Sequence, residues 1–166
     1  MKKIVSYMMT GILLLSFLLT GCGSPEPQTG KKMSMYYINT AETKVEVHEQ
    51  YLNTKTLDQQ LDETMRYLST TPEKLEYKAP LDMGFRVLDY EVEDGKLLIN
   101  VDKAYSELSP TTEVLVRAAI VRTLTQLPNV KYVGITVEDS QLYDNAGEMV
   151  GWMNADQFIN NDGNEI

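Results

Sequence analysis

The sequence predicts an α/β (α+β) fold, a compact single domain with two helices packed on a mainly antiparallel or mixed sheet. Three observations carry this. Residues 85–137 read strand, tight turn, strand, helix, strand. Upstream, Leu57, Leu61, Met65 and Leu68 form the apolar stripe of a one-sided helix. Before that helix lie two short runs of strand character, 34–38 and 44–52. The chain has 166 residues, the length of one domain once its N-terminus is set apart.

That N-terminus opens with Lys2-Lys3 and continues as an uncharged, mostly apolar run over 4–19. This is the layout of a secretory signal, and it is short for a stable membrane span. It ends in Leu19-Thr20-Gly21-Cys22, which resembles the bacterial lipobox. The small residues suit a protease cleft, and the thiol of Cys22 is the nucleophile that takes up lipid. The alternative is an uncleaved anchor that happens to end in cysteine. The expected organisation is a lipoprotein signal peptide over 1–21, then lipidated Cys22 and a short flexible tether over 22–33. A domain follows over 34–159, with a disordered tail over 160–166. Two or more acyl chains hold a protein at a bilayer, where one alone is marginal. The expected address is therefore the extracytoplasmic face of the cell membrane, with a lipid anchor. The stretch GSPEPQTGKK, rich in Gly, Pro and polar residues, reaches at most about 30–35 Å.

Cys22 is the only cysteine, which excludes an intramolecular disulfide and a thiolate metal cluster. The formal net charge is -9. The leader holds two of the 15 cationic side chains, Lys2 and Lys3, and none of the 24 acidic ones, so from Cys22 onward the balance is -11. Such a surface argues against nucleic acid as a partner, since phosphate binding needs a cationic face.

Residues 34–38 read as the first strand and the polar run 39–43 as a turn. Val45, Val47 and Tyr51 recur with a period of two over 44–52, which predicts a second strand. His48 has the opposite parity and is expected to face solvent; as the lone histidine it is not expected to hold a metal. Thr56, with Gln59 three positions on, opens the first helix with capping-box spacing. Asp58, Asp62 and Glu63 stand largely off the apolar stripe. Paired carboxylates suit acid–base chemistry or cation binding, but Asp58 lies in the first turn, where negative charge is favoured, and all three are expected in water. Thr71-Pro72 ends the helix. A loop follows over 72–84, with Tyr77 as its expected anchor.

In the central unit, Phe85 and Val87 point one way and Leu88, Tyr90 and Val92 the other. That break in phase predicts either a bulge or a fully covered centre. Asp94-Gly95 is a strong hairpin signal, because both central positions must accept positive φ. Leu97, Ile99 and Val101 then share one face, with Leu98 and Asn100 on the other, and Leu108 is expected to return to the core. Ser109-Pro110-Thr111-Thr112 opens the second helix, where proline is tolerated, and the helix runs over 113–127. Its apolar residues cover much more than half of the wheel. Such a helix is buried broadly, or faces the sheet on one side and a partner on the other. Arg117 and Arg122 are expected at the surface, able to pair with acids.

Residues 130–137 give a further strand, with Val133, Ile135 and Val137 aligned and Tyr132 opposite. Asp144-Asn145-Ala146-Gly147 predicts a turn between two short flanking runs. Gly151-Trp152-Met153 is expected to extend the last strand, with Met153, Phe158 and Ile159 closing a sheet edge. Trp152 is read as packing at that edge, with a sugar-stacking platform as the sharper alternative.

Together, Tyr36-Tyr37, the helix from Leu57, EVEDGKLLINVDKAYSEL, TEVLVRAAIVRTLTQLPNV and KYVGITVEDSQL resemble the GerMN domain family of sporulation and spore germination lipoproteins. The resemblance covers roughly 34–159. It implies a small domain with two helices on a sheet, similar to ring-building domains, in a protein that holds or localises an envelope complex. Family members often carry two copies in tandem, and this length suits one.

Two function classes remain in view. The first is a non-enzymatic lipoprotein scaffold or assembly factor, with an envelope protein as partner and self-association as an alternative. The second is a tethered cell-wall or small-ligand binding module, in which Trp152 and Tyr143 stack on peptidoglycan glycan. Hydrolytic chemistry is disfavoured, because beyond Cys22 the chain offers one histidine and no cysteine nucleophile. No catalytic residue, cofactor or metal is assigned.

Overall fold

Strand β1, Lys31–Asn39, forms around Met33, Met35 and Tyr37, which recur at every second position and are all buried. The computed structural model describes residues 30–72, 76–144 and 146–158. The expected signal peptide, Cys22, Ile159 and the tail lie outside the described residues. The strand begins three positions before the expected domain start at 34, so Lys31 and Lys32 belong to the sheet rather than to the tether. The reason is the ladder: Lys31 and Lys32 pair with Leu52 and Tyr51 of β2, Val45–Leu52. Lys32 Nζ also meets a Glu49 carboxylate oxygen at 2.7 Å.

The turn between β1 and β2 is tied by Asn39, whose Oδ1 accepts from the N–H of Thr43 at 2.8 Å and of Lys44 at 3.1 Å. The antiparallel register sets Met35 opposite His48 and Tyr36 opposite Val47. His48 therefore lies on the core side, half-buried, with its ring edge-on to Tyr37 at 6.5 Å, while Val47 is 48% exposed. Val47 and His48 thus stand opposite to the sequence expectation, whereas Val45, paired with Ile38, is buried as expected. Opposite residues share a face, and the face is chosen by Met35 and Tyr37 rather than by Val47.

Helix α1, Leu57–Leu68, is capped by Thr56, whose Oγ1 accepts from the Gln59 N–H. Leu61, Met65 and Leu68 are buried as expected, and Leu57 packs at the margin. Beyond it, β3, Tyr77–Lys78, joins the other edge of β1 at Ile38 and Asn39, completing a three-stranded sheet in the order β2-β1-β3. Tyr77 anchors this segment by stacking on Tyr37, with centroids 6.4 Å apart and planes 14° apart.

The second sheet contains β4, Val87–Glu93, and β5, Lys96–Val101, followed by β6, Tyr132–Val137, and β7, Ser140–Gln141, in that spatial order. β4 and β5 form the expected hairpin, with Asp94 at φ 49° and Gly95 at φ 80°. The expected bulge is present as a register shift between Val87 and Asp89. β6 runs parallel to β5, so this sheet is mixed. Parallel neighbours need a crossover. It is made by a short 3-10 turn, Lys103–Glu107, and by α2, Pro110–Leu124, which is capped by the Ser109 hydroxyl.

Ten of the fifteen residues of α2 are buried, which decides for broad burial within the domain. Leu115, Val116, Ala119, Ile120, Val121 and Leu124 join the core with Leu97, Ile99, Val101, Val133 and Ile135. Helix α2 also serves the first sheet. Thr123 Oγ1 accepts from the Tyr36 N–H at 3.1 Å, and the Gln126 side chain pairs with Ser34, so the open edge of β1 is completed by side chains.

Candidate functional site

Leu97, Ile99 and Val101 point into the core, so Lys96, Leu98 and Asn100 must project from the opposite face. The register adds their neighbours. Glu93, Glu91 and Asp89 lie beside them on β4, and Tyr132, Gly134 and Thr136 on β6. No helix among the described elements covers this face. The segment after β7 runs along the free edge of β6, where Met153 exchanges two backbone hydrogen bonds with Val133, and within it Tyr143 pairs with Met149. Asp144 forms the expected turn, its Oδ1 accepting from the N–H groups of Ala146 and Glu148 at 2.9 Å.

The single tryptophan of the chain, Trp152, comes down on this face and remains 41% exposed. It fits because Gly134 lies beneath it: a Cβ on Gly134 would stand 2.8 Å from Trp152 Cζ3 and 3.0 Å from Cε3. Lys96 Nζ stands 5.3 Å from the indole centroid, within cation–π range. Trp152 walls three adjoining clefts, of about 340, 270 and 150 Å³. The largest is lined by Glu91, Glu93, Asp94, Lys96, Leu98 and Trp152. Four of those six side chains are charged, unlike the mainly apolar lining of small-molecule sites. Tyr143 is also exposed, but it lines a separate hollow of about 100 Å³ and shares none of these three clefts.

Asn100 pins the far end of the face. Its Nδ2 donates to Asp89 Oδ2 at 3.1 Å and Asp139 Oδ1 at 2.7 Å. Its Oδ1 accepts from the Asp139 N–H at 3.0 Å and from Thr136 Oγ1 at 3.3 Å. All four of its hydrogen-bonding positions are used, which ties both aspartates to the sheet.

A second polar cluster is buried at the start of α2. Tyr105 Oη donates to Glu113 Oε1 at 3.0 Å, and Arg117 Nη2 donates to Glu113 Oε2 at 2.8 Å. Arg117 Nε lies 2.6 Å from Glu113 Oε1, too poorly aligned to count as a hydrogen bond. The two charged side chains are 14% and 11% exposed, so Arg117 is an internal ion-pair partner and not the surface residue expected. The i,i+4 spacing puts the pair on one helix face, and burial makes it obligatory. Burial, followed by the charge of Glu113, pushes the Tyr105 phenol well above its ordinary pKa. Arg122 lies over the Tyr36 ring, 4.3 Å from its centroid.

The other sequence candidates have structural roles. Asp58 is exposed. Asp62 accepts from Tyr90 Oη at 2.7 Å, and burial together with that hydrogen bond raises the Tyr90 pKa to about 12. Glu63 accepts from Thr54 Oγ1 at 2.8 Å and from the N–H groups of Asn53 and Thr54. Among the described residues, no group of three or more His, Cys, Asp or Glu side chains is placed to hold a metal ion. No helix there is long and apolar enough to cross a membrane. Gly134 is the sequence signal for the position of Trp152. A glycine inside a strand marks close approach of another group, and that signal in VGITV points to the residue above it.

The family model for sporulation and spore germination matches residues 34–143. No curated protein sequence matches the chain. Among solved structures, the chain is similar to the tandem GerMN domains of the sporulation protein GerM from Bacillus subtilis, with TM-score 0.55 and 18% identity. That alignment covers 81% of this chain and 49% of the other, so this chain spans about half of the tandem protein. It is also similar to the first GerMN domain of the same protein, with TM-score 0.55 and 14% identity, over 73% of this chain and 94% of that one. At these identities the likeness is one of fold.

Proposed function

Because the chain belongs to the sporulation and spore germination family, we propose that it is a non-enzymatic scaffold or assembly factor of an extracytoplasmic envelope complex. The observation that carries this reading is the uncovered face of the second sheet, where Trp152, Met149 and Tyr132 are exposed together. Exposed apolar groups rimmed by polar ones mark interaction surfaces. In this reading residues 1–21 are a signal peptide, Cys22 carries the lipid, and the short tether keeps the domain beside the bilayer. Sporulation or germination is the setting that the family suggests.

The test is affinity capture after crosslinking of the tagged protein in its own membranes, from growing cells and from cells under spore-forming conditions. Recovery of a defined envelope assembly only from the second sample supports the proposal. Recovery of ordinary transport or wall proteins from growing cells retains the scaffold and removes the spore setting. Fractionation of Cys22→Ala tests the anchor: the variant is expected to leave the membrane fraction, and unchanged membrane retention overturns lipidation.

A further inference from the structure

The chemistry of the uncovered face identifies the kind of partner it takes. In the cleft of about 340 Å³, Trp152 and Leu98 supply apolar surface, and Glu91, Glu93 and Asp94 supply a carboxylate rim. Glu91, Glu93 and Trp152 are all exposed. Lys96 already holds its ammonium 5.3 Å from the indole centroid, so the geometry for a cation over that ring is built into the face.

We propose that this cleft is the docking site for a lysine- or arginine-bearing segment of a partner protein. The incoming cation displaces the exposed Lys96 side chain from the Trp152 ring and lies between that ring and the carboxylates of Glu91 and Glu93, while a neighbouring apolar side chain rests on Leu98. The proposal rests on the scaffold reading and adds to it a surface and a partner chemistry.

Charge selects this occupant over the others. The cleft lining carries three carboxylates and one ammonium, and the whole chain carries a formal -9. Anionic lipid and phosphate are repelled, as is the same face of a second copy, whereas a basic segment is drawn in and oriented. The terminal segments outside the described residues do not supply the cation: after Cys22, residues 23–29 and 159–166 contain Glu26, Asp162 and Glu165 and no lysine or arginine. Lys74, within 73–75, is the one cation beyond Cys22 outside the described residues, and a crosslink to it in place of a partner would overturn the proposal. Glycan stacking needs an aromatic platform but not a carboxylate rim, so sensitivity to charge separates the two.

The experiment places a photo-crosslinking residue at Tyr132, which is exposed and opposite Lys96 in the ladder, in the full-length protein in its own membranes. A second protein carries the same residue at Val47, exposed on the other sheet. The expected result is a crosslink from Tyr132 to a protein peptide that contains lysine or arginine. Glu91→Lys with Glu93→Lys should lower its yield by roughly tenfold, while circular dichroism stays unchanged because both side chains are exposed. A crosslinked peptide without a basic residue, a yield that survives charge reversal, or attachment to glycan or to a second copy overturns the proposal. Protein crosslinks from Val47 alone overturn the cleft and leave the scaffold reading standing. No protein crosslink from either position removes both.

Discussion

Gln126 meets Ser34 as one strand meets another. Its Oε1 accepts from the Ser34 N–H at 3.0 Å, and its Nε2 donates to the Ser34 carbonyl at 2.7 Å. The remaining Nε2 hydrogen goes to the Arg122 carbonyl at 2.8 Å, at the end of α2. One side-chain amide therefore completes both a sheet edge and a helix C-terminus. Gln126→Ala should cost about 1–3 kcal/mol, because the groups it leaves behind are partly buried. Urea denaturation measures the loss, and amide exchange should quicken first at Ser34. Unchanged exchange at Ser34 would mean that water replaces the amide without penalty.

The ion pair between Glu113 and Arg117 predicts a non-additive pair of mutations. Glu113→Leu leaves a guanidinium almost enclosed and unpaired, and Arg117→Met does the same to the carboxylate. Each should cost about 3 kcal/mol, and the double variant much less than their sum. A double-mutant cycle by chemical denaturation tests this, and strict additivity would contradict the internal pairing.

Gly134→Ala tests the fit beneath the tryptophan. The new methyl would meet the far side of the Trp152 ring at 2.8 Å, and the ring is free to lift because it is exposed. Fluorescence excited selectively from tryptophan, at wavelengths where the tyrosines do not absorb, reports on this ring alone, since Trp152 is the only tryptophan. The emission is expected to move to the red at a cost of about 1 kcal/mol. An unmoved spectrum would show that the sheet shifts instead.

Glu42 predicts an acid-side dependence of stability. Its carboxylate is held by Lys78 Nζ and accepts from Thr112 Oγ1 at 2.6 Å, joining the β1–β2 turn to β3 and α2. The Lys78 hydrogen bond, then that of Thr112, lowers the Glu42 pKa below the ordinary 4.5. A depressed folded-state pKa means that the stabilisation is complete above the unfolded value. It is lost as pH falls from about 4.5 through the folded value. The thermal midpoint should therefore drop in that window, and Glu42→Gln should flatten part of the drop. Identical pH profiles for the two proteins would assign the acid sensitivity to other carboxylates.

Local chemistry was legible in the sequence. Asp94-Gly95 named its hairpin, Thr56 and Ser109-Pro110 marked the helix starts, and the phase break at Val87-Leu88 announced the bulge. Each of these depends on residues a few positions apart. Val47 and His48 were misplaced because the choice of face is made across the ladder, by Met35 and Tyr37. Arg117 looked like surface because helical periodicity cannot show that Glu113 and Tyr105 enclose it with a charge to match. Glu138 and Asp139, both at positive φ, turn β6 into β7 without a glycine, so the usual signal for a tight turn was missing. The face around Trp152 depends on three separate segments, and only Gly134 hinted at it.

The partnership of Gln126 with Ser34 spans 92 positions, and synthesis runs from the N-terminus. Wherever the chain folds, β1 emerges long before the residues that close its other edge, Thr123 and Gln126. Through that interval Ser34 and Tyr36 present unpaired backbone groups beside Met33 and Met35, a ready template for any neighbouring nascent strand. The last third of the chain thus sets the moment at which the first third becomes safe from mispairing. A chain cut short before residue 123 lacks both side chains that close this edge, and is expected to aggregate more readily than the full chain.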